Sequence, residues 1–286
     1  MTSRISASSY SNTAPLIWSF LYGTQHGRYE LILDNAPTRS FELLSQDRID
    51  AALVPVIAFQ LLEGIQLIPD VCVGAKEKVR SVCLITKGED LSQIKTVSLD
   101  ISSKTSVYLT KIIFREFLGF EPVWKDAAPD LDAMLAESDC ALLIGDPALT
   151  VSSRLGRNAT VMERVSSPAS SKNYRTFDLA ELWRQYTGLG FVFAMWMTRK
   201  ESCEIDFASA RDEGLLYLDE IIANYMSEIA LKREDLLSYL SENISYSLDD
   251  SMRKGTALFF ELAEKHRLIE TNKPLAFTAE IQKRPD

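Results

Sequence analysis

The 286-residue chain is poor in the side chains that usually bind metals. It has two histidines, and its four cysteines are scattered without a Cys-x-x-Cys pair. A zinc site is therefore not expected. Cys83 lies within one apolar run and Cys140 directly precedes another, which predicts buried free thiols in a reducing compartment.

Several functional signatures are also missing from the sequence. There is no nucleophile elbow, no P-loop and no G-x-G-x-x-G, and no His-Asp or Cys-His arrangement is suggested by position. No apolar run approaches membrane-spanning length, and the N-terminus lacks the basic and apolar regions of a signal peptide. These absences predict a cytoplasmic protein whose base, if it is an enzyme, is unusual.

Basic residues are fewer than acidic ones, and the formal net charge is −9. This balance argues against nucleic acid or an anionic membrane surface as the main partner. The negative net charge does not exclude a small anionic ligand, because helix ends and polar groups set the local electrostatic potential in a cleft. With 46% hydrophobic and 25% charged residues, the chain has the composition of a folded protein with a full core.

Short apolar runs alternate with helical patterns over most of the chain. The predicted strands are residues 4–7, 29–33, 49–55, 81–86, 96–99, 141–144, 174–178 and 191–196. The first predicted helix contains Pro15 and the apolar run 16–21, and the second begins at residue 38. The other predicted helices cover residues 105–118, 179–186, 208–226, 233–244 and 251–266. Residues 151–173 give no clear assignment. The opening β-α-β-α-β pattern is typical of a doubly wound lobe.

The order of these elements predicts two α/β lobes, the first interrupted by the second. Residues 1–84 and 191–286 would form one lobe with the C-terminal helices, and residues 85–190 the other. The strands at 81–86 and 191–196 would cross between the lobes as a hinge. Open α/β sheets bind ligands at the carboxyl ends of their strands, so both lobes would present those ends to one cleft.

The turn after the first strand is the most informative segment of the chain. Ser9, Ser11, Asn12 and Thr13 follow one another closely there, and Pro15 stands at the start of a helix. The first N–H groups of a helix have no intrahelical partners, and the helix dipole places positive charge behind them. This segment therefore predicts a binding site for a small carboxylate.

A second group of hydroxyls precedes the helix at 105–118, where Ser103, Thr105 and Ser106 stand close together. One hydroxyl is enough for a helix cap, so this group favours anion binding over capping alone. Gly145 and Asp146 follow a buried strand. Asp146 either caps the next helix or faces the ligand, and Gly145 would let a ligand approach the backbone closely.

Ser81 is a weaker candidate at the start of a crossing strand, and its neighbour Arg80 is expected on a solvated face. His26 stands among loop residues, so a surface position is expected for it rather than a catalytic one.

Taken in order, several of these segments resemble one family. The residues that carry the resemblance are 4–5, 9–16, 50–55, 79–82, 103–107, 142–146, 177–183 and 187–194. In order and spacing they are similar to the chorismate dehydratases of the futalosine route to menaquinone. The resemblance implies a type II periplasmic-binding-protein-like fold and a hydro-lyase that converts chorismate to 3-[(1-carboxyvinyl)oxy]benzoate without a metal or organic cofactor.

The resemblance also implies roles for the candidate residues. Asn12 would contact the reacting centre, as the asparagine of the family's Ser-Tyr-x-Asn-Thr motif. The group Ser103, Thr105 and Ser106 would bind one carboxylate of the substrate. The other end would be bound by Ser9, Ser11 and Thr13, or by Ser81, with Gly145 and Asp146 also at the site.

Three other functions stay open from the sequence. The first is a non-catalytic binding protein of the same fold, which would require export. The second is a sister enzyme acting on a futalosine-derived substrate, which we would expect to carry a histidine in its cleft. The third is the ligand-sensing domain of a regulator, although no DNA-binding segment accompanies it.

Overall fold

The computed structural model describes residues 2–35, 37–158 and 174–279, which form two five-stranded sheets with helices packed around them. The strands are β1 (Arg4–Ser8), β2 (Glu30–Asp34), β3 (Ala51–Pro55), β4 (Gln66–Ala75), β5 (Val82–Thr86), β6 (Thr96–Asp100), β7 (Val123–Ala127), β8 (Cys140–Ile144), β9 (Arg175–Asp178) and β10 (Phe191–Thr198).

Helices connect most of these strands and make up the C-terminal part. They are α1 (Ala14–Tyr22), α2 (Pro37–Ser45), α3 (Ala58–Leu61), α4 (Lys104–Ile112), α5 (Leu131–Glu137), α6 (Gly145–Asn158), α7 (Leu179–Thr187), α8 (Phe207–Leu216), α9 (Leu218–Ile229), α10 (Arg233–Ser238) and α11 (Asp250–Lys265). Two of them continue into π-helical turns, α4 at Ile113–Leu118 and α10 at Tyr239–Asn243.

The two sheets share one topology. In the first sheet the order is β2-β1-β3-β10-β4, and in the second it is β7-β6-β8-β5-β9. Three neighbouring strands of each sheet are parallel, and the fourth strand runs antiparallel to both of its neighbours. The apolar runs at β3 and β8 are buried at every position, as interior strands covered on both faces require.

The strands predicted to cross between lobes each pair within a single sheet. β5 lies wholly in the second sheet and β10 wholly in the first, so the chain passes between the sheets in the segments before them, residues 76–81 and 188–190. The predicted boundary between residues 84 and 85 falls inside β5. The division into lobes stays a prediction, and sheet membership favours a boundary before Val82.

The C-terminal helices pack mainly on the first sheet and its helices. At Gly214 of α8, a Cβ atom would stand 1.9 Å from the Pro15 carbonyl oxygen, so α8 approaches α1 more closely than any side chain permits. The sequence predicted one helix over 208–226, but the backbone breaks at Tyr217, where φ is −111° and ψ is 30°. Among the described residues, no helix combines the length and apolarity needed to cross a membrane.

Candidate functional site

The carboxyl ends of strands from both sheets meet at one cavity between the lobes. Ser8 ends β1, Pro55 ends β3 and Ile144 ends β8, and all three line this cavity. Its floor is apolar and includes Val82 and Phe193. The cavity has a volume of about 60 Å³, whereas small-molecule sites usually enclose roughly 300–1,000 Å³. The lobes are therefore closed on one another in this arrangement.

Four helices begin beside the cavity, namely α1, α2, α4 and α6. The first turns of α1, α2 and α4 contain no acidic residue, so the positive ends of their dipoles are not neutralised from within the helix. None of the described side chains that line the cavity carries a charge. An anion in the cavity would be bound by N–H groups, hydroxyls and helix dipoles instead of by lysine or arginine.

The turn after β1 is held in place by its own hydroxyl. Thr13 Oγ1 donates to the carbonyl oxygen of Ser8 at 2.6 Å and also contacts that of Tyr10 at 2.8 Å. The resulting 3₁₀ turn, Ser11–Thr13, leads directly into α1, whose first turn accommodates Pro15. It leaves Asn12 half-buried, with its side chain at the cavity.

Tyr10, in the same turn, extends across to the second lobe. A Cβ atom on Gly145 would lie 2.9 Å from its ring, so the ring rests directly on the backbone at the start of α6. Burial raises the pKa of the Tyr10 hydroxyl, and the nearby Ser102 hydroxyl opposes that shift. Tyr10 therefore keeps its proton and closes one side of the cavity.

The second lobe contributes the hydroxyls at the start of α4. Ser103, Thr105 and Ser106 all line the cavity. Thr105 Oγ1 accepts a hydrogen bond of 3.3 Å from the backbone N–H of Ile57 in the first lobe. This hydroxyl therefore contributes both to the cavity wall and to the contact between the lobes.

A second polar contact between the lobes joins Ser11 to Asp146. The Asp146 carboxylate accepts from the Ser11 N–H at 3.2 Å and from the Ser11 hydroxyl at 2.5 Å. Burial raises the pKa of Asp146, and the hydrogen bonds from Ser11 partly offset that effect. Asp146 is the second residue of α6, its carboxylate accepts from Ser11, and it does not line the cavity, although capping and ligand contact were the two roles considered from the sequence.

The structure thus separates the predicted site residues into two groups. Those that line the cavity are Asn12, Thr13, Ser103, Thr105, Ser106 and Gly145. Those that do not are Ser9, Ser11, Ser81 and Asp146.

Each member of the second group has its own position. Ser9 lines a separate cavity of about 500 Å³ near α1 and α9, where its carbonyl oxygen accepts from the Tyr225 hydroxyl at 2.9 Å. Ser11 and Asp146 bond to each other, and Ser81 is fully buried behind the cavity. A direct contact between any of these four and a substrate stays a prediction.

Two further expectations concerned residues near the site. Arg80 is not on a solvated face. It is half-buried, its backbone φ is +61°, and its guanidinium donates to Ser153 Oγ at 2.8 Å and to the Asp235 carbonyl oxygen at 3.4 Å. His26 is exposed, as predicted.

Sequence reasoning did not assign a role to several residues that build the site. Tyr10 stands between Ser9 and Ser11, inside the segment predicted to bind a ligand. Its position in that segment could have identified it as a residue of the site. Phe193 stands in an apolar strand, where core packing and the lining of a ring-shaped ligand are alternative roles, and it lines the cavity. Tyr225 and Tyr239 reach this region from the C-terminal helices, through contacts that no local pattern encodes.

Comparison with known proteins identifies relatives along almost the whole chain. The model of a protein family described as menaquinone biosynthesis matches residues 3–265. A chorismate dehydratase from Thermus thermophilus is 30% identical over 260 residues, which cover 88% of this chain and 92% of that protein.

Solved structures with the same fold are more distant in sequence. A structural-genomics protein from Archaeoglobus fulgidus has a TM-score of 0.67 at 16% identity, covering 93% of this chain and 98% of that one. The periplasmic aliphatic sulphonate binding protein SsuA from Escherichia coli has a TM-score of 0.60 at 14% identity, covering 99% and 96%. The predicted periplasmic-binding-protein-like fold with two α/β lobes is confirmed.

Proposed function

The chain belongs to the menaquinone biosynthesis family, and we propose that it is a chorismate dehydratase that forms 3-[(1-carboxyvinyl)oxy]benzoate. The observation that carries the proposal is the uncharged cavity at the starts of four helices, in a chain 30% identical to a chorismate dehydratase over 88% of its length. Chorismate carries two carboxylates on a six-membered ring system, and this cavity offers hydroxyls and helix N-termini to the anions and an apolar floor to the ring.

The reaction removes one molecule of water. A proton leaves the ring carbon that bears the enolpyruvyl ether, hydroxide leaves the adjacent carbon, and the ring becomes aromatic. Charge can spread through the ring double bond to the ring carboxylate as the proton departs. The protein's task is therefore to orient a dianion and to stabilise developing charge.

We assign Asn12 to the reacting centre and the α4 hydroxyls to one carboxylate. A carboxamide is a poor base, so Asn12 acts by hydrogen bonding and orientation. Among the described residues, neither His nor Glu lines the cavity. The substrate's own enolpyruvyl carboxylate is therefore our candidate for the proton acceptor.

The proposal includes a single small-molecule substrate and a cytoplasmic location. Cys72, Cys83, Cys140 and Cys203 are all free and buried, which suits a reducing compartment. Burial raises the pKa of the Cys83 thiol well above its ordinary value, so we assign it no nucleophilic role.

Mass spectrometry of chorismate incubated with the purified protein tests the function. We expect a product lighter than chorismate by one water. Asn12→Ala and Asn12→Asp should lower turnover by orders of magnitude while chorismate still binds, because the orienting amide is lost. The matched control is Asn224→Ala, which removes an exposed carboxamide on α9 and should leave turnover unchanged.

Two outcomes would contradict the proposal in different ways. Binding of chorismate without any change in its mass would favour a non-catalytic binding protein of the same fold. Normal turnover in both Asn12 variants would remove that residue from the mechanism and leave the overall reaction intact.

A further inference from the structure

A second and larger cavity lies between α1 and α9, apart from the proposed substrate site. Its volume is about 500 Å³, within the range of roughly 300–1,000 Å³ that small-molecule sites usually enclose. Ser9 lines this cavity, but Asn12 and the hydroxyls of α4 do not. The α1–α9 cavity can therefore hold a ligand that the proposed function does not account for.

Aromatic rings form much of the wall of the α1–α9 cavity. Trp18 and Tyr22 of α1 and Tyr225 of α9 line it, and its aliphatic residues are Ile17, Leu21, Leu33 and Ile221. Trp18 stacks on Tyr217 with ring centroids 3.9 Å apart and planes inclined by 10°, which fixes its indole in place. Tyr22 is 66% exposed. Aromatic side chains grouped around an open cavity are typical of a surface that binds a partner molecule.

The charge carried by the α1–α9 cavity is negative. Of the described residues that line it, Glu228 alone is charged, and its exposed carboxylate forms no salt bridge with another described side chain. The Tyr225 hydroxyl donates to the Ser9 carbonyl oxygen at 2.9 Å, so its own oxygen is left as an acceptor. Burial raises the pKa of Tyr225 to about 12, which keeps this proton in place at neutral pH. A ligand in the cavity therefore meets a carboxylate and a phenol oxygen that can accept hydrogen bonds.

The helix dipoles add to this negative potential. Tyr22 is the last residue of α1, and Glu228 is the last but one of α9. Neither helix has a basic residue in its last turn, so the negative ends of both dipoles are not neutralised from within the helix. The proposed substrate site has the opposite arrangement, because helices begin there. The two cavities therefore favour ligands of opposite charge.

We propose that the α1–α9 cavity binds an organic ammonium ion with an aromatic or aliphatic body. The rings of Trp18 and Tyr22 attract the cation through their π-electrons. The carboxylate of Glu228 supplies the opposite charge, and the aliphatic wall receives the apolar body. The ammonium group can also donate a hydrogen bond to the Tyr225 oxygen. This inference does not rest on the proposed function, and chorismate, as a dianion, has the wrong charge for this cavity.

The test is a titration of the full chain with phenethylammonium chloride at neutral pH. In protein labelled with 15N-tryptophan, the chain's four indole N–H groups give few signals, and Trp18→Leu identifies that of Trp18. We expect a saturable shift of the Trp18 signal and little or none for Trp183 and Trp196, which are fully buried. Phenethyl alcohol and hydrocinnamate carry the same ring with no charge and with a negative charge, so both should bind more weakly than the ammonium.

Two glutamine variants of α9 separate the charge of Glu228 from the charge of the helix in general. Glu228→Gln should raise the Kd for phenethylammonium by about 2- to 5-fold, as expected for the loss of an exposed ion pair. Glu220→Gln removes another exposed carboxylate of α9, one that does not line the cavity, and should leave the Kd unchanged.

Three results would overturn the inference. They are the absence of a saturable Trp18 shift, equal or tighter binding of phenethyl alcohol or hydrocinnamate, and equal effects of the two glutamine variants. If the wild-type protein does not convert chorismate, the proposed function fails, and the titration with phenethylammonium still decides whether the α1–α9 cavity binds a cation.

Discussion

Gly145 must lack a side chain for two separate reasons. Its φ is +65°, in the left-handed region that residues with a Cβ atom rarely adopt. A Cβ atom would also meet the Tyr10 ring at 2.9 Å. The first reason concerns only the backbone, whereas the second concerns the wall of the cavity. Their effects on stability and on ligand binding can therefore be measured separately.

Gly145→Ala should lower both the stability and the ligand affinity of the protein. The left-handed backbone costs roughly 1–2 kcal/mol with a Cβ atom present, and the displaced Tyr10 ring would narrow the cavity further. Gly188→Ala is the matched control, because φ there is +73° and no atom lies within 4 Å of the added carbon. Thermal unfolding and chorismate binding by calorimetry check both variants.

The expected result is that both variants melt earlier but only Gly145→Ala binds chorismate more weakly. If Gly188→Ala weakened binding to the same extent, the effect would come from backbone strain in general and not from the contact with Tyr10.

At the scale of elements, the start of α4 combines three features that favour an anion. Its first turn contains no acidic residue, the hydroxyls of Ser103, Thr105 and Ser106 line the cavity, and β6 places this turn at the carboxyl edge of the second sheet. Ser103 is the N-cap residue of the helix, but its side chain makes no capping hydrogen bond. The three hydroxyls are therefore available to a ligand, apart from the Thr105 hydroxyl's contact with Ile57.

Replacing Thr105 and Ser106 together by alanine should weaken chorismate binding more than it slows the chemical step. The two hydroxyls bind a carboxylate that is charged in both the substrate and the transition state. Their loss therefore weakens the binding of both states equally. The expected result is a KM raised by about 100-fold if each of the two hydrogen bonds to a charged group contributes roughly 1.5 kcal/mol. Steady-state kinetics measures this directly.

Thr110→Val on the same helix is the control. Thr110 is fully buried and its hydroxyl has no partner, so the valine variant should keep the wild-type KM. A large fall in kcat at unchanged KM in the double alanine variant would instead place these hydroxyls at the reacting centre.

Most elements could be predicted from the sequence because their apolar patterns are local. β4 could not, since Pro69 and Asp70 interrupt its run and Asp70 has a φ of +59°. Proline is tolerated there because β4 is an edge strand, a fact that only the sheet order reveals. The single helix predicted over 208–226 was wrong, because the backbone breaks at Tyr217, a residue type that does not by itself indicate the end of a helix.

Some residues of the site could likewise be predicted from local sequence, and others depend on tertiary contacts. Asn12, Thr105 and Gly145 stand in loops at strand ends, where sequence order and sheet topology together predict a ligand. Tyr239 comes from a turn near the C-terminus, and its position depends on the Arg80 guanidinium, which contacts Asp235 and Asn243 on either side of it. No periodicity in the sequence encodes that contact.

Across the whole molecule, two kinds of contact join the lobes beside the cavity. Hydrogen bonds join Ser11 to Asp146 and Ile57 to Thr105. The ammonium group of Lys104 in the second lobe lies 4.8 Å above the ring of Phe41 in the first. The cavity beside these contacts has a volume of only about 60 Å³, so a ring with two carboxylates requires a wider cleft than this arrangement offers.

Asp146 makes the stability of this closed arrangement depend on pH. Burial raises its pKa above the ordinary value of 3.8, so the folded protein keeps this proton to a higher pH than the unfolded chain. Between the two pKa values the folded state binds more protons, and the free energy of unfolding therefore falls as pH rises. The loss is complete above the folded-state pKa and amounts to about 1.4 kcal/mol for each unit of the shift.

Asp146→Asn should remove this part of the pH dependence. The amide oxygen can still accept from the Ser11 N–H, but the side chain no longer ionises. The difference in melting temperature, variant minus wild type, should therefore increase between pH 4 and pH 7. If the melting temperatures of the variant and the wild type changed with pH in the same way over that range, the Asp146 carboxylate would not be destabilised by burial at the lobe contact.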